Sequence, residues 1–201
     1  MKKVFITIMI LMYFSQTLVA QDKEWSGIFL GLSGGTWFPD SKNKVLGNPI
    51  VMGLSIDFKP VDSKGSLGFS FEGVEKHNMR QPLTLVYQDS TFESNGYSGV
   101  HFTVDYSREI VANDKFLLNW VLGVGSGEMV FFSGPTLSEL TTKCSIIINP
   151  GLDLRYKLSE SGYLQLRANY YLADYGLKND LNLDFRGNYL VCRLAIGFRI
   201  Y

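Results

Sequence analysis

The chain has 201 residues, with 19 acidic and 19 basic side chains, so neither nucleic acid nor another strongly charged partner is indicated. Twenty glycines and an aromatic content of 14% indicate a β-rich protein and argue against disorder. Two cysteines, Cys144 and Cys192, allow at most one disulfide, and with two histidines we predict neither a metal site nor a cofactor.

The N-terminus has the features of a secretory signal peptide. Lys2 and Lys3 precede the apolar run 4–14, and residues 15–20 lead to a predicted cleavage after Ala20. The apolar run is shorter than the roughly 20 residues of a membrane-spanning helix. We therefore expect an exported protein in which residues 1–20 are removed and residues 21–201 form one domain.

From Trp25 onward, apolar residues alternate with polar or small ones at the period of two that is typical of β-strands. Stretches rich in Pro, Gly, Asn, Asp and Ser separate the alternating segments. Pro150 lies inside the sixth segment and predicts a bulge there. We predict eight strands, at residues 25–39, 50–59, 67–72, 100–107, 116–125, 146–156, 164–172 and 189–201, and the pattern allows the fifth to continue to Phe132.

The seven predicted connections alternate in length. Long polar loops are expected at 40–48, 76–95, 133–143 and 174–188, and short turns at 60–66, 108–115 and 157–162. Some strand structure is expected within the second loop, around residues 83–87. An even strand number with alternating short turns and long loops is typical of outer-membrane barrels. The predicted fold class is therefore all-β, an eight-stranded antiparallel up-and-down transmembrane β-barrel.

The last strand indicates which face of the sheet is enclosed. Its even-numbered positions are apolar from Leu190 to Ile200, whereas the odd-numbered positions include Arg193 and Arg199. As the last strand, it leaves no later segment to cover its apolar face. We therefore expect lipid to contact the apolar face and the lumen to enclose the arginines.

The same alternation predicts a polar barrel interior. Because isolated buried ions are costly, acidic and basic side chains are expected to pair there. The lumen of an eight-stranded barrel is just wide enough for side chains, so we expect the paired side chains to close it. An interior that gates ions or binds a small anion is the alternative. The predicted polar network comprises Asp57, Lys59, Glu72, Asp105, Asp153, Arg155, Arg167, Arg193 and Arg199.

Aromatic residues lie near both ends of the predicted strands, as membrane interfaces favour. Aromatic side chains scattered through a soluble β-core are the alternative. The predicted belts comprise Trp37, Phe58, Tyr106, Phe116, Phe131, Tyr156 and Tyr170, with Phe38 and Phe132 near the long loops.

The pattern resembles the family of small eight-stranded outer-membrane barrels, similar to the OmpA transmembrane domain and OmpX, over essentially the whole mature chain. The end of the last strand, Ile196-Gly197-Phe198-Arg199-Ile200-Tyr201, resembles the aromatic-ended terminal strand of that family. The resemblance implies outer-membrane localisation in a Gram-negative bacterium, contact with outer-membrane lipid and assembly through the C-terminal strand by the barrel-assembly machinery. It also implies a non-enzymatic role in envelope structure, adhesion or binding of a protein or surface ligand at the long loops.

Three other functions are considered. A lipid A-modifying barrel enzyme would need a Ser–His pair, for which His77 with Ser90 or Ser94 is the candidate. A soluble lipocalin-like barrel is suggested by Gly35-Thr36-Trp37, although its interior would be apolar. An accessory protein of a secretion machine would bind a partner through an exposed edge around residues 83–87.

Overall fold

The computed structural model describes residues 25–87, 90–133, 138–174 and 186–200. The predicted signal peptide and Tyr201 lie outside these residues. Within them, no helix is long and apolar enough to cross a membrane. A 3-10 helix spans Ser41–Leu46. The strands are β1 (Gly27–Pro39), β2 (Ile50–Lys59), β3 (Gly65–Lys76), β4 (Leu83–Tyr87), β5 (Ser90–Ala112), β6 (Phe116–Ser133), β7 (Ser138–Lys157), β8 (Gly162–Asp174) and β9 (Arg186–Ile200).

Eight of these strands form a closed antiparallel barrel. Neighbouring strands pair in the order β3-β2-β1-β9-β8-β7-β6-β5, and β3 also pairs with β5, which closes the ring. Strand β4 is a short addition that pairs only with β5 among the described residues. The predicted fold class, an eight-stranded antiparallel barrel, is confirmed.

The outer face of the barrel is apolar. Leu32 of β1 pairs with Leu54 of β2 and with Ile196 of β9, and all three side chains are more than half exposed. The residues between them point inward and include glycine, serine and charged residues. This inversion of the usual order is what a membrane barrel requires, because lipid accepts the apolar side chains and strand closure satisfies the backbone.

The two ends of the barrel differ, as predicted. Short turns at 60–64, 113–115 and 158–161 lie at one end, which we call the turn end. Side chains hold these turns: the Asn113 carboxamide oxygen accepts from the Lys115 and Phe116 N–H groups, and Ser159 Oγ accepts from the Gly162 N–H. The opposite end, which we call the loop end, contains the 3-10 helix and the β4–β5 hairpin.

Strands β5 and β7 are longer than predicted, β6 takes the longer of its two allowed forms, and two predicted loops are wrong in part. Residues 83–87 and 90–94 form a hairpin inside the predicted loop 76–95, so the expected strand around 83–87 is confirmed. Residues 138–143 belong to β7, not to a loop. The hairpin lies beyond the lipid-facing apolar band, where outward residues such as Thr91, Glu93 and Asn95 are exposed and polar. An outward apolar row, which revealed the other strands, is therefore absent there.

The predicted bulge at Pro150 is wrong. Strand β7 keeps one register with β8 on both sides of the proline, with Ile148 opposite Leu172 and Gly151 opposite Asn169. The ladder is interrupted at Pro150, which has no N–H to donate. The Asn169 side chain compensates, because its Nδ2 donates to the Asn149 main-chain oxygen at 3.0 Å.

The two cysteines are unbonded. Cys144 lies on β7 and Cys192 on β9, with β8 between them. The pairing register aligns Cys192 with Ala168 of β8 and, through it, with Leu152 of β7, eight residues from Cys144. This separation is far beyond the Cα distance of about 7 Å that a disulfide tolerates.

Candidate functional site

The barrel interior contains the charged side chains that the alternation selects. All nine residues of the predicted network lie on inward positions of their strands and are at least nine-tenths buried. They come from six of the eight barrel strands, so their proximity depends on closure of the ring. Three groups of contacts follow one another from the loop end to the turn end.

The group nearest the loop end is centred on Glu72. Arg193 Nη1 and Tyr171 Oη both donate to Glu72 Oε1, the tyrosine at 2.6 Å. His101 Nδ1 lies 3.9 Å from the other carboxylate oxygen of Glu72. The histidine ring also stacks on Trp37, with ring centroids 5.3 Å apart. Strands β3, β5, β8 and β9 thus meet at one carboxylate, and β1 is joined to them through the Trp37–His101 stack.

The middle group is centred on Arg167. Its Nη2 donates to Asp105 Oδ2 at 2.6 Å, its Nη1 to Ser70 Oγ at 3.3 Å and its Nε to Asn169 Oδ1 at 3.0 Å. Ser70 in turn donates to Asp105 at 2.8 Å. Since the two charges are fully enclosed, these hydrogen bonds replace the water that both would lose.

The group nearest the turn end is centred on Arg155. Its Nη2 donates to Asp57 Oδ2 at 2.5 Å and its Nε to Asp153 Oδ2 at 3.0 Å. Gln165 donates to the other Asp153 oxygen at 2.7 Å. The guanidinium also lies over the Phe29 ring, 4.8 Å from its centroid. Arg155 therefore has both ionic and cation–π contacts.

One interior residue escapes the sequence analysis. Lys59 Nζ contacts Glu109 Oε2 at 2.6 Å, and the Glu109 side chain is 15% exposed. Glu109 falls in the predicted turn 108–115, whereas β5 continues to Ala112. Extending the inward row of His101, Thr103, Asp105 and Ser107 by one step would have found it. With Glu109, the described interior holds five carboxylates, Asp57, Glu72, Asp105, Glu109 and Asp153, and five basic side chains, Lys59, Arg155, Arg167, Arg193 and Arg199.

An apolar cluster lies at each end of this charged zone. At the turn end, Trp25, Phe29, Leu117 and Tyr163 pack together. The larger cluster fills the loop end and includes the inner side of the β4–β5 hairpin. It is formed by Trp37, Leu46, Val51, Val74, Met79, Leu83, Leu85, Tyr97, Met129, Phe131, Ile147, Tyr171, Ala173, Tyr189 and Val191.

Two of the predicted belt residues are wrong. Trp37 and Phe131 are fully buried in the loop-end cluster, where Trp37 stacks on Tyr189 at 4.4 Å. Both occupy inward positions. The direction of a strand side chain depends on its place in the two-residue alternation and not on its distance from a loop. The other five, Phe58, Tyr106, Phe116, Tyr156 and Tyr170, are exposed on the outer face.

Of the candidate residues for acyl transfer, His77 and Ser94 do not form a nucleophile–base pair, and the Ser90 side chain lies outside the described part of the structure. His77 is exposed at the loop end, where Nε2 contacts Glu75 Oε1 at 2.6 Å. Ser94 is buried and donates to the Gly96 main-chain oxygen at 2.8 Å. His101 is enclosed beside Glu72 and Trp37. In the part of the chain that the structure describes, no three His, Cys, Asp or Glu side chains are grouped to hold a metal ion.

Solved structures share this architecture. Neisserial surface protein A aligns over 87% of this chain and 98% of its own length, with a TM-score of 0.61 and 8% identity. Ail, the attachment invasion locus protein of Yersinia pestis, aligns over 87% of this chain and 99% of its own, with a TM-score of 0.50 and 14% identity. Ail in complex with the heparin analogue sucrose octasulfate gives 0.51 and 15%, over 87% and 97% of the two chains.

No family model and no curated protein sequence matches the chain. At these low identities the likeness concerns the fold. The resemblance found in the sequence is confirmed at that level: the chain has the fold of the small eight-stranded outer-membrane β-barrels.

Proposed function

We propose that the protein is a closed, non-enzymatic outer-membrane barrel that acts through its loop end, as a surface scaffold for binding or adhesion. The observation on which this rests is the combination of a filled interior with strands that continue beyond the apolar band. The first feature argues against a pore, and the second supplies a surface outside the membrane.

The interior supports the closed state. Five carboxylates and five basic side chains fill the middle of the barrel, and an apolar cluster lies on each side of them. Opening a water path would require separating buried ion pairs such as Arg167–Asp105, which are costly to break. We propose that the predicted polar network and Glu109 act together as this seal.

The loop end supports a binding role. A spanning β-strand needs about 9–11 residues, whereas β5, β6 and β7 have 23, 18 and 20. Together with β4 they form a sheet beyond the apolar band. Among the described residues, β4 pairs only with β5, and residues 138–146 of β7 pair only with β6. Two sheet edges are thus available for strand addition by a partner protein.

The proposal includes localisation and processing. Residues 1–20 act as a cleaved signal peptide, residues 21–201 form the barrel, and the barrel-assembly machinery recognises the last strand. The loop end then faces the outside of a Gram-negative cell, and Phe58, Tyr106, Phe116, Tyr156 and Tyr170 contact the interfaces of the outer-membrane lipid. The name of Ail, which refers to attachment and invasion, is consistent with a surface role for this fold.

The test combines localisation with conductance. We expect the protein in the outer-membrane fraction, with a gel mobility that changes on boiling, and no stable channel in planar lipid bilayers. Recovery in the soluble periplasmic fraction would contradict the proposal and favour the lipocalin-like alternative. Stable single-channel currents from the purified barrel would contradict the closed interior but not the outer-membrane localisation.

A further inference from the structure

A cavity of about 650 Å³ opens at the loop end, between the end of the 3-10 helix and the corner that joins β3 to β4. Residues 44–48 form one wall and Lys76 with residues 79–81 the other. Its volume falls within the usual range for small-molecule sites. The cavity lies outside the charged interior and outside the sheet edges described above.

The lining is strongly basic. Lys44, Lys76 and Arg80 border the cavity, and no carboxylate is among the described residues that line it. In the interior, by contrast, Lys59, Arg155, Arg167 and Arg193 are each paired with a carboxylate. Three cations around one concave surface repel each other, and an anion bound between them would relieve that repulsion.

Both walls are fixed to the barrel. Tyr97 Oη donates to the Leu46 main-chain oxygen at 3.2 Å, which anchors the 3-10 helix. The Met79 N–H donates to the Asn95 main-chain oxygen at 2.9 Å, which anchors the corner. The Leu46 and Met79 side chains are buried in the loop-end cluster. The cavity is therefore largely preorganised, which lowers the entropic cost of binding.

Gly47 ends the 3-10 helix at the edge of the cavity. It has a φ of 64°, in the left-handed region that favours glycine, and a Cβ at this position would make only ordinary contact with Lys76. Lys76 Nζ donates to the Asn48 main-chain oxygen at 3.2 Å. An ammonium group has three N–H donors, so the contact orients Lys76 and leaves donors for a ligand.

We propose that this cavity binds a sugar bearing sulfate or phosphate groups. The three cations would contact the ester oxygens, and Asn48 and Gln81 supply neutral polar groups for sugar hydroxyls. The volume exceeds what a single inorganic ion fills. Two sources offer this chemistry outside the cell, a soluble anionic oligosaccharide and the phosphorylated headgroup of lipopolysaccharide. The inference rests on the proposed outward orientation of the loop end.

The test is calorimetric titration of the refolded barrel in phosphatidylcholine nanodiscs. Sucrose octasulfate is the probe, and sucrose and inorganic phosphate are the comparison ligands. We expect sucrose octasulfate to bind more tightly than either, with an affinity that falls as salt rises. Absence of binding, or equal binding of inorganic phosphate, would overturn the proposal.

Two matched double variants distinguish binding in the cavity from an effect of the overall charge. Lys44→Gln/Arg80→Gln should weaken binding at least about tenfold, because each removes a charged contact from a concave site. Lys64→Gln/Lys115→Gln removes the same charge from the turn end and should leave the affinity within about twofold. An equal loss in both double variants would show a nonspecific charge effect and refute the site.

A second arm identifies the source of the ligand. Purified lipopolysaccharide is added to the nanodiscs before titration. If the headgroup occupies the cavity, sucrose octasulfate binding is lost in wild type; if the ligand is soluble, binding persists. Either outcome supports the shared chemistry. The localisation and conductance measurements on the same variants remain independent, so failure of this site is distinguishable from failure of the proposed function.

Discussion

The Trp25 indole Nε1 donates to the main-chain oxygen of Asn113 at a distance of 2.8 Å, across 88 residues of sequence. This bond fixes the segment before β1 to the turn between β5 and β6. The indole ring also lies against Phe29, with centroids 6.3 Å apart. Trp25 therefore covers the turn end of the lumen.

Removal of the Trp25 side chain should destabilise the barrel. Trp25→Ala is expected to lower the free energy of unfolding by about 3–5 kcal/mol, because a fully buried aromatic side chain is deleted. Trp25→Phe should lower it by only about 1 kcal/mol, because an aromatic ring still covers the lumen and mainly the hydrogen bond is lost. Urea unfolding in lipid vesicles measures both. Equal stability of the two variants would show that the ring does not seal this end.

The Arg167–Asp105 pair should behave as a coupled unit. Arg167→Met and Asp105→Leu each leave one buried charge without its ionic partner, at an expected cost of about 3–5 kcal/mol. The double variant should cost much less than the sum of the two single variants. A double-mutant cycle from urea unfolding gives the coupling. Additive losses would mean that the pair contributes little.

Two glycines on opposite faces should respond differently to the same substitution. A Cβ at Gly197 would lie 2.2 Å from Tyr163 Cζ, whereas a Cβ at Gly34 would meet nothing within 4 Å. Gly197→Ala is therefore expected to destabilise the barrel by about 1–3 kcal/mol, and Gly34→Ala to be neutral or slightly stabilising. The urea midpoints of the two variants test this, and a loss at Gly34 would contradict the outward assignment.

Adjacent aromatic residues provide a direct test of the corrected belt. Trp37 is fully buried, whereas Phe38 is 47% exposed. Trp37→Ala should destabilise the barrel by about 3–5 kcal/mol, and Phe38→Ala by less than half of that because its ring faces outward. If Phe38→Ala proved the more damaging change in unfolding experiments, the inward position of Trp37 would be refuted.

The native cysteines report the orientation. Cys144 aligns with Glu128, near the upper limit of the apolar band, and Cys192 aligns with Thr36 and Ala168 within it. A membrane-impermeant maleimide applied to intact cells should label Cys144 and spare Cys192. The Cys144→Ser variant is the control and should lose the signal. Labelling only after the outer membrane is permeabilised would place the loop end in the periplasm.

Alternation alone predicts the barrel and the direction of most side chains, because lipid and a polar lumen impose opposite demands on successive residues. It does not predict the length of β7, and it finds Glu109 only when the inward row of β5 is continued into the predicted turn 108–115. Residues 138–143, Ser-Glu-Leu-Thr-Thr-Lys, lack the two-residue alternation by which the other strands are recognised.

Pairing inside the barrel is the part that sequence reasoning could not reach. Arg155 and Asp57 are 98 residues apart and lie on strands that are not neighbours, yet they form a buried salt bridge. Their contact depends on the stagger of every intervening strand, which a two-residue period does not specify. The cavity at the loop end depends in the same way on two segments about 30 residues apart.

The pairing of β1 with β9 restricts the order in which the molecule can form. The first strand to be synthesised finds one of its two permanent neighbours only when the last has emerged. Until then an open sheet would present arginines and carboxylates to hydrocarbon with their cross-barrel partners still missing. Membrane insertion and ring closure are therefore expected to be one concerted event, so the chain must be kept unfolded on its way to the bilayer.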